Sequence, residues 1–139
     1  MLDACTISSC PMLLALTVVG RVALTPADPL DAPVAAAFNA HQRRRTTAGR
    51  LLGPDAVATA VDAFRATGAQ VLVRPSPWRL RAADADLTAE WFGGWLAAAC
   101  EQEPALAAES GAYRDRRLAQ AAAGELAVTV DHADLLVLP

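Results

Sequence analysis

Apolar residues fall into two kinds of run along this chain: short unbroken stretches closed by proline or glycine, and longer ones recurring every three or four positions. Residues 12–19 are of the first kind, bounded by Pro11 and Gly20, and they predict a strand buried on both faces. A turn at Gly20 and Arg21 leads to a short second strand, 22–24. Pro26, Asp28, Pro29 and Pro33 then predict a loop, because proline fixes φ and removes a donor. Asp31 is placed to cap a helix that has Pro33 in its first turn. Val34, Ala37, Phe38 and His41 share one face of it at i, i+3, i+4 and i+7. Arg43, Arg44 and Arg45 lie near its end, where cations suit the helix dipole, and 46–50 read as a loop.

A second helix is predicted over 54–67, opened by Pro54 and Asp55, closed by Gly68, with Val57, Val61 and Phe64 as its buried stripe. Residues 70–74 alternate as a strand that Pro75 and Pro77 end. A third helix over 86–102 stacks Leu87, Trp91 and Trp95 at i, i+4 and i+8, which makes the tryptophans core residues. Gly93 and Gly94 inside it predict a break or a close helix contact, since two interior glycines cost about 2 kcal/mol relative to alanine. A fourth helix covers 104–123 and ends at Gly124. The last strand, 126–138, carries Asp131, His132 and Asp134, and these charges predict a bulge or bend. Strands alternating with helices give an α/β fold, while residues 1–11 show no period and read as irregular.

Composition narrows the class. The chain has 139 residues, 54% of them hydrophobic and 19% charged, which fits one domain and excludes an intrinsically disordered chain. All twelve cations are arginine and alanine is the commonest residue, the mark of a GC-rich genome. A net charge of -3 argues against nucleic acid as a partner. The apolar run at 11–19 is far short of the roughly 20 residues that span a bilayer, so no membrane is expected. No cation precedes that run, which argues against a secretory signal and leaves the cytoplasm as the default. Cys5, Cys10 and Cys100 are an odd set with no CxxC pair; they read as reduced thiols, and nothing supports a Cys5–Cys10 disulfide.

Candidate chemistry is sparse. His41, with Asn39 and Gln42 beside it, reads either as a substrate-side or acid/base histidine or as the edge of an amphipathic face. Arg43, Arg44, Arg45 and Arg50 read as a phosphate contact or as a solvated helix end. Asp131 and His132 point to opposite faces of a strand and cannot easily share a metal, so no metal site is expected. Trp78 follows Pro75, Ser76 and Pro77 at a strand end, where α/β sheets place function, or else plugs the core. There is no GxSxG, P-loop, HExxH or GxGxxG.

Several segments in order carry a resemblance: LLALTVVGRVAL, ADPLDxxVxxxFNxHQRR, VLVRPSPWRL, EWFGGWLAAACE, YRDRRLAQ and VTVDHADLLVLP. From Leu13 to Pro139 the chain resembles the C-terminal half of a bacterial class I S-adenosylmethionine-dependent methyltransferase. The resemblance implies a partial Rossmann-like sheet from a seven-stranded order 3-2-1-4-5-7-6. Residues 12–19, 70–75 and 126–138 would be its fifth, sixth and seventh strands, with the seventh antiparallel and between the other two. Residues 84–124 would be a helical insertion of this single partial domain. It implies transfer of a sulfonium methyl to a small-molecule acceptor, with Asn39, His41 and Trp78 on the substrate side. The family's glycine-rich turn and ribose-binding acid belong to the absent half. No cofactor-binding residue carries over, and the chain alone is expected to be inactive and not to bind S-adenosylmethionine. The fifth-strand edge would be open, a place for a homodimer contact or a complementing subunit. An interaction module derived from that fold is the alternative function.

Overall fold

The computed structural model describes residues 10–139, so most of the irregular segment expected at 1–11, and Cys5 with it, lies outside the described residues. Six strands and four α-helices follow one another. They are β1 (Met12–Thr25), α1 (Asp31–Gln42), β2 (Arg45–Thr46), β3 (Gly49–Arg50), α2 (Ala56–Ala66), β4 (Gln70–Pro75), β5 (Trp78–Leu80), α3 (Ala85–Gln102), α4 (Ala107–Ala122) and β6 (Ala127–Leu138). The fold is mixed α/β. β6 lies at the centre of the main sheet, antiparallel to β1 on one side and to β4 and then β5 on the other. β1 and β4 are therefore parallel to each other, with the C-terminal strand between them. β2 and β3 form a separate small hairpin where the sequence predicts a loop.

β6 explains how one strand serves two helical layers. Val128, Val130 and His132 are buried on one face, and Ala133, Leu135 and Val137 on the other. Successive side chains of a strand point to opposite faces, so the two halves of β6 are covered from opposite sides. Val34 and Ala37 of α1, Phe92, Trp95, Leu96 and Ala99 of α3, and Tyr113 and Ala121 of α4 pack on the first half. Val61 and Phe64 of α2 pack on the second. Each sheet face is thus half covered.

Several expectations change. β1 is one bulged strand through residue 25, not two strands with a turn. The register slips between Leu14 and Thr17 and again between Val18 and Val22, with left-handed residues at Leu16 (φ 57°) and Gly20 (φ 76°). The irregularity expected at Asp131–Asp134 of β6 thus sits on β1, because β6 disposes of its charges sideways. Arg21 Nε donates to Asp131 at 3.1 Å, and the Leu16 amide and the Ser76 hydroxyl donate to Asp134 at 2.9 and 2.7 Å. Nor is β1 buried on both faces: it is an edge strand, and Leu13 is 66% exposed.

The helices differ in detail too. Asp31 does not cap α1. Its carboxylate accepts from the Asp28 amide, and Asp28 accepts from the Leu30 amide, which braces the entering turn. α1 ends at Gln42, so Arg44 and Arg45 leave it for the hairpin. α3 runs unbroken through Gly93 and Gly94, and a Cβ at either would meet no atom within 4 Å, so neither a break nor a close contact requires them. Its buried stripe is Thr88, Phe92, Trp95, Leu96 and Ala99 rather than one through Leu87, which is exposed. Trp91 is partly buried and stacks on Trp95, with ring centroids 5.4 Å apart.

Candidate functional site

α1 and the bulged part of β1 enclose an open cleft of about 830 Å³. Alanines 32, 35 and 36 and Asn39 recur at helical spacing and form its helical wall. Gly20, Arg21, Val22 and Ala23 form the strand wall, and Thr129 and Asp131 of β6 also line it. Gly20 is required where the walls meet: besides its positive φ, a Cβ there would lie 2.7 Å from the Pro54 ring and 3.1 Å from Asn39 Oδ1. Asn39 Nδ2 donates to the Gly20 carbonyl at 2.8 Å, pinning the helix to the bulge.

The charges at the mouth are already paired. Asp131 is held by Arg21. Asp31 receives Arg117 Nη2 on both oxygens and the Tyr113 hydroxyl at 2.6 Å. Arg117 is 1% exposed, and its Nη1 also donates to the Pro26 carbonyl and to Gln120 Oε1. Burial pushes the Tyr113 hydroxyl up well beyond the usual phenol range, and the Asp31 carboxylate it donates to adds to the rise. Burial alone would lower Arg117, but its bonds to Asp31 outweigh this and raise it. Next to them, burial would raise Asp28, yet the Leu30 amide and Arg116 outweigh it and hold the carboxyl below the usual range. The network fixes the 26–31 turn against α4 and leaves the cleft a small-residue wall with Thr129 and Asn39 as polar handles. That arrangement can seat and orient a small molecule. Among the described residues no serine, cysteine or histidine lines it, and no group of three or more His, Cys, Asp or Glu side chains is placed to hold a metal ion.

The three residues assigned to the substrate side do not converge. Asn39 lines the cleft. His41 lies two residues further along α1, outside it, and its carbonyl accepts from the Arg44 amide and from Arg44 Nη1. Trp78 is not in a loop: it belongs to β5, pairs with Val130, and packs its ring 5.4 Å from His132. β6 thus separates Trp78 from β1 and the cleft. His132, whose Nδ1 is 3.1 Å from the Val130 carbonyl, is a buried partner of Trp78. Gly20, Arg21 and Thr129 escape sequence reasoning, because a bulge brings them to the cleft and no motif marks it. Among the described residues no helix is long and apolar enough to cross a membrane. Compared with protein-family models, with curated proteins and with solved structures, the chain matches none of them.

Proposed function

We propose that this chain is the substrate-side, C-terminal portion of a class I S-adenosylmethionine-dependent methyltransferase acting on a small-molecule acceptor. One observation carries the reading. The C-terminal strand β6 lies antiparallel between β1 and β4, which run parallel to each other. That is the order and direction of the fifth, seventh and sixth strands of the methyltransferase sheet, on the segments the resemblance assigns to them. The free side of β1 is then where the fourth strand of the cofactor-binding half would pair. The α1–β1 cleft would seat the acceptor. Methyl transfer asks chiefly for an aligned acceptor and excluded water rather than for a special nucleophile, in keeping with a cleft that has none. S-adenosylmethionine would be held by the missing half.

The test is the intact mass of the polypeptide purified from its own cells, followed by calorimetric titration with S-adenosylhomocysteine. The expected result is a mass well above 14.5 kDa and saturable binding by that longer polypeptide. A native mass of 14.5 kDa, or a longer polypeptide that does not bind, overturns the reading.

A second reading, an interaction module, is favoured by a different observation. Leu13, Leu136 and Leu72 are register neighbours in one row across the sheet, 66%, 36% and 37% exposed, beside the free edge of β1. Light scattering on the purified chain separates the two readings: a stable dimer supports the module, and a clean monomer argues against it.

A further inference from the structure

On the other side of the Gly20–Pro54–Asn39 contact lies a second pocket, of about 610 Å³, that the proposed reaction does not use. Arg44, Arg50 and Gln42 supply its polar wall, with Leu51, Leu52 and Gly53 around them. Gly53 fits tightly here: a Cβ on it would lie 2.9 Å from both the Cβ and the carbonyl oxygen of Gln42.

Two features of this pocket are unexplained by the fold. Arg45 and Arg50 are direct cross-strand partners in the β2–β3 hairpin, and like charges placed opposite one another destabilise a strand pair. Among the described residues, four guanidinium groups, of Arg43, Arg44, Arg45 and Arg50, are served by a single carboxylate. Asp55 is already taken by Arg43, at 2.8 Å from Nε and 2.7 Å from Nη2.

From these features we infer that the pocket binds a small phosphate monoester. The phosphate dianion supplies the charge that Arg44 and Arg50 lack and screens Arg50 from Arg45; guanidinium groups match phosphate oxygens in geometry as well as charge. Leu51 and Leu52, 37% and 47% exposed, are placed to meet its carbon skeleton. The pocket's size and the chain's net charge of -3 favour a small ligand over a polyanion. This inference does not depend on the methyltransferase reading.

The test is calorimetric titration of the full chain with glycerol 3-phosphate, inorganic phosphate and a single-stranded RNA. Glycerol 3-phosphate is expected to bind saturably, and more tightly than inorganic phosphate. Arg44→Ala and Arg50→Ala are each expected to weaken it about tenfold, the scale of one lost hydrogen bond to a charged group. Both side chains are exposed, so the variants keep the fold. Arg45→Thr is expected to raise the melting temperature without ligand and to gain less from adding it. Absence of saturable binding overturns the proposal, as does binding indifferent to Arg44 and Arg50. Equal affinity for the two phosphates overturns the assignment to a monoester, and tighter RNA binding through the same arginines reassigns the cluster to a polymer.

Discussion

Arg117 is the most constrained side chain of the molecule: 1% exposed, bound to Asp31, Gln120 and the Pro26 carbonyl, with its Nε buried and unpartnered. A buried pair contributes little net stability, but removing one partner strands the other charge. Asp31→Ala is therefore expected to cost about 3–5 kcal/mol, read from urea unfolding. It would also free the Tyr113 hydroxyl and loosen the helical wall of the cleft. Asp134 gives a pH dependence. The Leu16 amide, then the Ser76 hydroxyl, hold its carboxyl below the ordinary aspartate range. The unfolded chain therefore takes up the proton first. The stabilisation is present above the ordinary value and is lost as pH falls through the lower folded one. The urea midpoint of the wild type is expected to fall more steeply below about pH 4 than that of Asp134→Asn, which has no carboxyl to titrate there. None of these partners was legible in the sequence. Asp31 read as a helix cap and Asp134 as a source of a bend, because partners 86 and 118 residues away leave no local pattern.

Elements were far more legible. Periodicity located four helices and the strands that became β1, β4 and β6, since each must present an apolar stripe or face at its own period. What failed were features set by neighbours. The bulges of β1 answer to β6, and β5 exists only because β6 offers it a partner. The two glycines of α3 were read as a break or a close helix contact, yet with Phe92 and Trp95 packed in the core the helix runs unbroken through them. They remain a local cost that nothing close by demands. Gly93→Ala with Gly94→Ala is accordingly expected to stabilise the chain by about 1–2 kcal/mol, seen as a raised urea midpoint with an unchanged slope.

At the scale of the molecule, the sheet is finished on neither face. α1, α3 and α4 cover one end of one face, α2 covers the other end of the opposite face, and the leucine row with the free edge of β1 is left over. Unpaired edges with apolar surface invite association, and lysine is a common guard against it. Leu13→Lys with Leu72→Lys, which are not direct cross-strand partners, is expected to abolish any concentration-dependent association seen by light scattering. At such exposed positions the stability change is expected to stay within about 0.5 kcal/mol per site. Retained association in that variant would place the contact elsewhere.

By itself the sequence determined the class of fold, the positions of its main elements and the split of apolar residues between them, because those depend on spacing along the chain. It also held the resemblance from which the function proposed here is drawn. Only the tertiary structure decided which residues meet. It put Asn39 against Gly20, moved Trp78 across β6 to His132, buried Arg117 on Asp31 and set Arg45 opposite Arg50. Such meetings are settled by register, bulges and the side from which a helix lands. Those are properties of pairs of elements, which no single stretch of sequence contains.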